Sequence, residues 1–200
     1  MLKVGLTGSI AVGKSFVLEV FRDLGCFVLD ADQTARDVVQ PGEPAFEDIV
    51  RHFGSTVVGS DARLDRSKLG AIVFADVTKL ELLNSIVHPR VIDAQNAWLS
   101  EVEKQDPGGM AIVDAALMIE SGGYRRFDKL IVVWCEPTLQ LEHLRSRDNL
   151  DEIEAKKRIS AQMTQDEKKR YADFLIDTSK SHDNARSQTI EIFSQLKLLL

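Results

Sequence analysis

The sequence predicts a three-layer α/β fold in which a five-stranded parallel sheet lies between two layers of helices. Five short apolar runs have the length of buried strands, at residues 3–7, 26–30, 110–114, 130–135 and 174–177. Helical patterns separate these runs, and strand-helix-strand connections favour a parallel sheet. With 44% hydrophobic and 28% charged residues among 200, the chain has the composition of a globular protein with a sizeable core.

The first strand leads into a phosphate-binding loop. Residues 8–15 read GSIAVGKS and fit the P-loop pattern G-x-x-x-x-G-K-[ST] at each fixed position. Gly8 and Gly13 let the backbone curl, so that its N–H groups converge at the positive end of the helix dipole. We expect Lys14 to reach the β- and γ-phosphates and Ser15 to offer its hydroxyl to Mg²⁺. The predicted nucleotide-binding residues are Gly8, Ser9, Ile10, Ala11, Val12, Gly13, Lys14, Ser15 and Phe16.

Two acids, Asp30 and Asp32, follow the second strand. Ligands of α/β sheets gather at the carboxyl ends of the strands. One acid can therefore face the site while the other caps the helix predicted over residues 33–39. Because a phosphate acceptor needs a nearby proton acceptor, we expect one of this pair to act chemically.

Residues 41–105 contain no further run typical of a central strand and instead show four successive helical patterns. We interpret residues 33–105 as a helical insertion that supplies the pocket for the second substrate. His88-Pro89 is predicted to separate the third helix from the fourth, because proline suits the first position of a helix. A capping role and a substrate contact both remain open for His88, and Arg66 is one of several candidate cations.

The third strand ends in Asp114, after four apolar residues. This pattern resembles a Walker B strand, whose aspartate contacts Mg²⁺ directly or through water. Glu120 is a second acid near the same edge of the sheet.

A helical hairpin is predicted after the fourth strand, and we interpret residues 137–164 as a lid. Arg147 lies at its turn, where a closing arginine would stabilise charge on the transferred phosphoryl group and help expel water. Other charges suit solvated ion pairs four residues apart, such as Glu154 with Arg158. Thr164 and Glu167 form a predicted capping box.

The predicted nucleotide-binding core consists of the remaining segments, which are residues 1–32, 106–136 and 165–200.

The charge pattern argues against a nucleic-acid partner, because the net charge is −6 and no basic block is longer than residues 168–170. Cys26 begins one apolar run and Cys135 ends another, which predicts buried thiols rather than disulfides. No apolar run approaches membrane-spanning length, and no signal-peptide pattern is present. We therefore expect a cytoplasmic protein with no membrane partner and no obligatory protein partner.

Several short motifs, which occur one after another along nearly the whole chain, resemble those of the dephospho-coenzyme A kinase family. The P-loop alone would indicate only a nucleotide site, whereas the other phrases are more specific. They are Asp30-Ala31-Asp32, Leu64-Asp65-Arg66, Val73-Phe74, Leu83-Asn84 with His88-Pro89, Leu117 to Glu120, Arg145 to Asp148, and Gln162 followed by Ala172-Asp173.

The resemblance implies transfer of the γ-phosphoryl group of ATP to the ribose 3′-hydroxyl of dephospho-coenzyme A, the last step of coenzyme A synthesis. It implies that Asp32 is the base and that Lys14 and Arg147 assist the transfer and bind ATP. Mg²⁺ is the implied cofactor, near Ser15 and, through water, Asp114. The implied acceptor contacts are Asp32, Arg66, His88, Leu117 and Glu120.

The chain departs from the family's usual residues at a few positions. Ser9, Ala11 and Val12 stand where the family's loop has a second glycine and a Gly-Ser pair. We expect these residues to alter nucleotide affinity without abolishing binding, provided that their φ angles stay negative. Ala116 replaces a proline, and Thr178 replaces an asparagine that could help to hold adenine.

Two other functions are compatible with a P-loop. A different small-metabolite kinase, for example one acting on a nucleoside monophosphate, would share the core and differ in the insertion. A GTP-driven switch would need a guanine-reading Asn/Thr-Lys-x-Asp phrase after a late strand. Residues 103–106, EKQD, have the wrong first residue and precede the third strand.

Overall fold

The computed structural model describes residues 1–200 and contains one parallel sheet. Its strands are Leu2–Thr7 (β1), Phe27–Asp30 (β2), Met110–Asp114 (β3), Lys129–Trp134 (β4) and Phe174–Asp177 (β5). They lie side by side in the order β2-β3-β1-β4-β5, all parallel. The predicted fold class is confirmed, and each predicted strand is present to within one residue at either end.

Helices separate consecutive strands as the apolar pattern predicts, except between β3 and β4, where the structure has a single 3-10 turn at Gly123–Arg126 and no α-helix. The α-helices are Lys14–Asp23 (α1), Ala31–Asp37 (α2), Pro44–Phe53 (α3), Arg66–Phe74 (α4), Val77–Gln105 (α5), Pro137–Asp148 (α6), Glu152–Ser160 (α7), Gln165–Lys169 (α8) and His182–Lys197 (α9). Two helices begin at the polar N-cap residues that the sequence predicts. Asp151 caps α7, and Thr164 with Glu167 forms the predicted capping box of α8.

The sheet core is buried on both faces. Along β4, Ile131 and Val133 on one face and Leu130 and Val132 on the other are at most 3% exposed, as is usual for strands that helices cover on both sides. Helix α1 contributes apolar side chains to this core and packs against α9. Because β1 lies in the middle of the sheet, the loop that follows it leaves from the centre of the carboxyl edge.

The chain forms two compact units. Residues 1–30 and 102–200 make up the first, which contains the whole sheet, and residues 31–101 make up the second. The second unit has an apolar core of its own, formed by Ala45, Ile49, Val57, Leu69, Val73 and Ile86.

Helix α5 is continuous through His88 and Pro89, so the predicted interruption is wrong. Proline at this position removes the N–H that would bind the carbonyl of Ser85. Ser85 and Pro89 both lie on the exposed side of the helix, where water can satisfy that carbonyl. The Arg90 guanidinium also donates to the Ile86 carbonyl at 2.9 Å. His88 is therefore an exposed residue inside a helix, and not a cap.

Both cysteines are buried and unpaired, as predicted. Burial raises the pKa of Cys26 to about 12. Burial, assisted by the negative charge of Asp177, raises the pKa of Cys135 to about 11. Both thiols are therefore protonated near neutral pH. Among the helices, none combines the length and apolar character that crossing a bilayer requires.

Candidate active site

The P-loop connects β1 directly to α1, as its sequence predicts. Gly13 has a φ of 81°, a left-handed conformation that suits glycine. At Gly8 the constraint is space, because an added Cβ would lie 2.3 Å from the carbonyl oxygen of Val133. The Lys14 ammonium donates to the Gly8 carbonyl at 3.2 Å and thus folds back along the loop. At the start of α1 the ring of Phe16 stacks on His182, with centroids 4.5 Å apart.

Ala11 has a φ of 62°, so the expectation that φ stays negative here is wrong. A β-carbon in this region lies close to the backbone, which costs an alanine roughly 1–2 kcal/mol relative to its right-handed form. Val12, the other residue of the pair, points inward and is buried in the sheet core. The chain thus forms the loop with an alanine where glycine would be unstrained.

We expect Ala11→Gly to raise the free energy of unfolding by roughly 1 kcal/mol, because glycine adopts this φ without strain. Urea denaturation followed by circular dichroism measures the change. Ala75→Gly is the matched control, since Ala75 has a φ of −85° and should gain nothing from glycine. A loss of stability in Ala11→Gly would show that the positive φ carries no strain.

Side chains from distant parts of the chain support the loop. The carbonyls of Ile10 and Val12 accept hydrogen bonds from Gln140 and Thr178, each at 2.9 Å. The hydroxyl of Thr178 also lies 3.1 Å from the carbonyl of Trp134, at the end of β4. These supports were missed from the sequence. Their partners lie 130 and 166 residues apart, so no local motif could reveal them.

The acids predicted to serve the site lie at strand ends. Asp114 ends β3, where it pairs in register with Asp30 of β2 and Leu6 of β1. Asp114 thus stands at the carboxyl edge beside the strand that carries the P-loop. Asp32 lies in the first turn of α2, two residues beyond the end of β2.

The remaining predicted contacts fall in two regions. Leu117 is half exposed in the segment after β3, and Glu120 of the same segment forms an ion pair with Lys168 at 2.8 Å. Arg66 is the first residue of α4, and His88 lies within α5, both exposed in the unit of residues 31–101.

Arg147 lies in the last turn of α6, near the tip of the predicted lid. Its guanidinium binds the neighbouring Asp148 carboxylate through two hydrogen bonds, of 2.7 and 3.2 Å. This pair raises the pKa of Arg147 and lowers that of Asp148. Arg158 also binds Asp148, at 2.8 Å, so the predicted pair of Arg158 with Glu154 is wrong.

The donor set fits Mg²⁺ by its chemistry. Ser15 supplies a hydroxyl oxygen at the start of α1, and Asp114 supplies carboxylate oxygens at the end of β3. Magnesium prefers such oxygen ligands, and in nucleotide sites it uses one or two protein groups together with phosphates and waters. A larger cluster of acids, histidines or cysteines able to hold a metal is absent from residues 1–200, which is compatible with that mode of binding.

Comparison with known proteins gives one consistent family. A family model described as "Dephospho-CoA kinase" matches residues 2–184. The dephospho-CoA kinase of Thermobifida fusca is 38% identical over 197 residues, covering 98% of this chain and 97% of its own. That of Shouchella clausii is 40% identical over 194 residues, with coverage of 97% and 98%. The solved dephospho-CoA kinase of Campylobacter jejuni is 27% identical, with a TM-score of 0.73 and coverage of 98% and 96%.

Proposed function

Since the chain belongs to the dephospho-CoA kinase family, it transfers a phosphoryl group to dephospho-CoA, and we propose that Lys14, Asp32 and Arg147 carry out this transfer. The matches confirm the resemblance drawn from the sequence. They do not favour a nucleoside monophosphate kinase or a GTP-driven switch. The observation that carries the proposal for the site is the complete P-loop at the centre of the sheet, with Lys14 folded along it.

Phosphoryl transfer depends mostly on positioning and on stabilising charge. Residues 8–16 bind the triphosphate of ATP through backbone N–H groups and the positive end of α1. The Lys14 ammonium neutralises charge on the β- and γ-phosphates. Arg147 releases Asp148 as residues 137–164 close over the nucleotide, and it then stabilises the transferred group. Closure of this lid, like the division into core, insertion and lid, is part of the proposal.

Asp32 is proposed as the base. The acceptor is the ribose 3′-hydroxyl of dephospho-CoA, which must lose its proton as it attacks the γ-phosphorus atom. A carboxylate beside this oxygen accepts the proton and orients the hydroxyl. The position of Asp32 supports the role, because it follows the carboxyl end of β2 by two residues, at the sheet edge where ligands of such folds bind. The products are coenzyme A and ADP.

Mg²⁺ would be held by Ser15 and, through water, by Asp114. When bound, the ion would neutralise negative charge on the phosphates. The acceptor is assigned to Asp32, Arg66, His88 and Leu117, whereas Glu120 forms an ion pair with Lys168. A cytoplasmic location and the absence of an obligatory partner stay predictions.

The test is an assay of the purified chain with Mg-ATP, with and without dephospho-CoA. ADP release is followed by a coupled reaction, and mass spectrometry of the acceptor detects one added phosphoryl group. We expect ADP and coenzyme A to appear together in equal amounts. Parallel assays with AMP and CMP as acceptors test whether the chain is a nucleoside monophosphate kinase. Replacement of ATP by GTP tests which nucleotide serves as the phosphoryl donor. Phosphorylation of a monophosphate in preference to dephospho-CoA would contradict the proposal.

A further inference from the structure

Lys168 of α8 is a charged side chain with no solvent exposure. Its ammonium donates to the carbonyl of Ala116 at 2.7 Å and forms an ion pair with Glu120 at 2.8 Å. A buried ammonium is strongly unfavourable unless it is paired and hydrogen-bonded, so these contacts hold the segment after β3 firmly against α8. None of the groups assigned to phosphoryl transfer explains why a lysine should be buried here.

Glu120 also contacts the backbone of Met163. Its Oε1 atom accepts a hydrogen bond from the backbone N–H of Met163 at 3.2 Å. Met163 lies between α7 and α8, where the proposed lid returns to the sheet. Lys168 thus fixes Glu120, and Glu120 fixes the backbone at Met163.

Met163 and its neighbour Gln162 also contact the P-loop. Gln162 Oε1 accepts a hydrogen bond from the N–H of Ile10 at 2.8 Å, and the carbonyl of Met163 accepts one from Ser9 Oγ at 3.3 Å. Residues 162–163 are therefore bonded to the P-loop through Ser9 and Ile10, and to Glu120 through Met163.

The electrostatics agree with this arrangement. Burial lowers the pKa of Lys168, the hydrogen bond and charge of Glu120 oppose that shift, and repulsion from Lys14 adds to it. The Glu120 carboxylate therefore favours the charged form of the Lys168 ammonium that it contacts.

We propose that Lys168 and Glu120 are positioning residues that hold the P-loop in its nucleotide-binding shape, by anchoring residues 162–163 against Ser9 and Ile10. The inference rests on the proposed function in one respect, that this loop binds the nucleotide. It gives Glu120 a role through its neighbours, in place of the acceptor contact predicted from the sequence.

The test compares nucleotide affinity in the absence of acceptor. The double variant Glu120→Leu/Lys168→Met replaces the ion pair by apolar side chains and leaves no unpaired buried charge, so we expect it to fold. It removes the acceptor of the Met163 N–H. Calorimetric titration with Mg-ADP should show affinity weaker by roughly 10- to 100-fold, the range expected for losing one well-placed hydrogen bond to a charged group. Thermal unfolding, measured alongside, reports stability separately.

Lys169→Met is the matched control. Lys169 is the next residue of α8 and carries the same charge, but it stacks over Trp134 and pairs with the exposed Asp166. Exposed pairs contribute little. We expect this variant to bind Mg-ADP within about threefold of the parent.

Gln162→Leu is a second route to the same result, because it removes the bond to Ile10 without touching a buried charge. We expect it to weaken Mg-ADP binding as well, whether or not the double variant folds. Parental Mg-ADP affinity in Gln162→Leu, or in a folded double variant, would overturn the inference. In particular, a raised KM for dephospho-CoA with unchanged Mg-ADP affinity would return Glu120 to the acceptor site.

Failure of the proposed function gives a different result. If the parent chain binds Mg-ADP but does not phosphorylate dephospho-CoA, the assignment of the acceptor fails. The comparison of Mg-ADP affinities between parent and variants then still decides whether Lys168 and Glu120 position the loop.

Discussion

Asp32→Asn should lower kcat for phosphorylation of dephospho-CoA by about a hundredfold or more, the range that a general base commonly contributes. Asparagine has nearly the same shape but does not accept the proton of the 3′-hydroxyl. The affinity for Mg-ATP should change by no more than about threefold, because the triphosphate is assigned to the P-loop and not to Asp32. Steady-state kinetics of coenzyme A formation and calorimetric titration with Mg-ATP measure the two quantities.

The control is Asp37→Asn, which makes the same chemical change on the same helix. Asp37 lies in the last turn of α2, where it accepts a hydrogen bond from Gln33 at 2.8 Å. This variant should keep nearly parental kcat. If Asp32→Asn turned over substrate within a few-fold of the parent while still binding ATP, Asp32 would not be the base.

Gly8→Ala should weaken Mg-ADP binding by about a hundredfold or more and lower stability by roughly 1–3 kcal/mol, the usual range for overpacking. The added methyl group would lie 2.3 Å from the carbonyl oxygen of Val133 and 2.9 Å from Cγ2 of Val12. Val133 belongs to a buried central strand and cannot move away, so the loop must shift. A shifted loop no longer directs its N–H groups at the phosphates.

Gly108→Ala provides the comparison for this variant. Gly108 lies in the turn before β3, and the nearest atom to an added Cβ is 3.8 Å away, in Asp106. We expect parental Mg-ADP affinity and nearly parental stability. Thermal unfolding and calorimetry on both variants complete the test, and tight Mg-ADP binding by Gly8→Ala would mean that the loop can adapt to a side chain.

Two residues that differ from the family's usual ones, Ser9 and Thr178, form hydrogen bonds that involve the P-loop. Ser9 is buried, and its hydroxyl binds the carbonyl of Met163. Thr178 donates to the carbonyl of Val12. Both hydrogen bonds therefore tie the loop to parts of the chain that are distant in sequence.

Much of the fold is readable from the sequence because its signals are local. Each strand is a short apolar run, and the strand that ends in Asp114 was placed to the residue. The P-loop and the Thr164–Glu167 capping box were also predicted, since each depends on residues only a few positions apart. The family was also predicted, from several short motifs that follow one another along the chain.

The tertiary structure alone decided the features in which distant residues meet. Ala11 adopts a positive φ inside a loop that side chains from α6 and the end of β5 hold in place. Pro89 remains inside α5, and Arg158 binds Asp148 in preference to a residue of its own helix. The ion pair of Lys168 with Glu120 joins residues 48 positions apart.

The physical reason is the same in each case. Backbone propensities and pair rules four residues apart are worth about 1 kcal/mol or less. Packing and burial of charge involve several times that amount. The sequence by itself determined where the strands form and which loop carries the P-loop pattern, whereas the packed structure determined how that loop is held and where helix α5 continues.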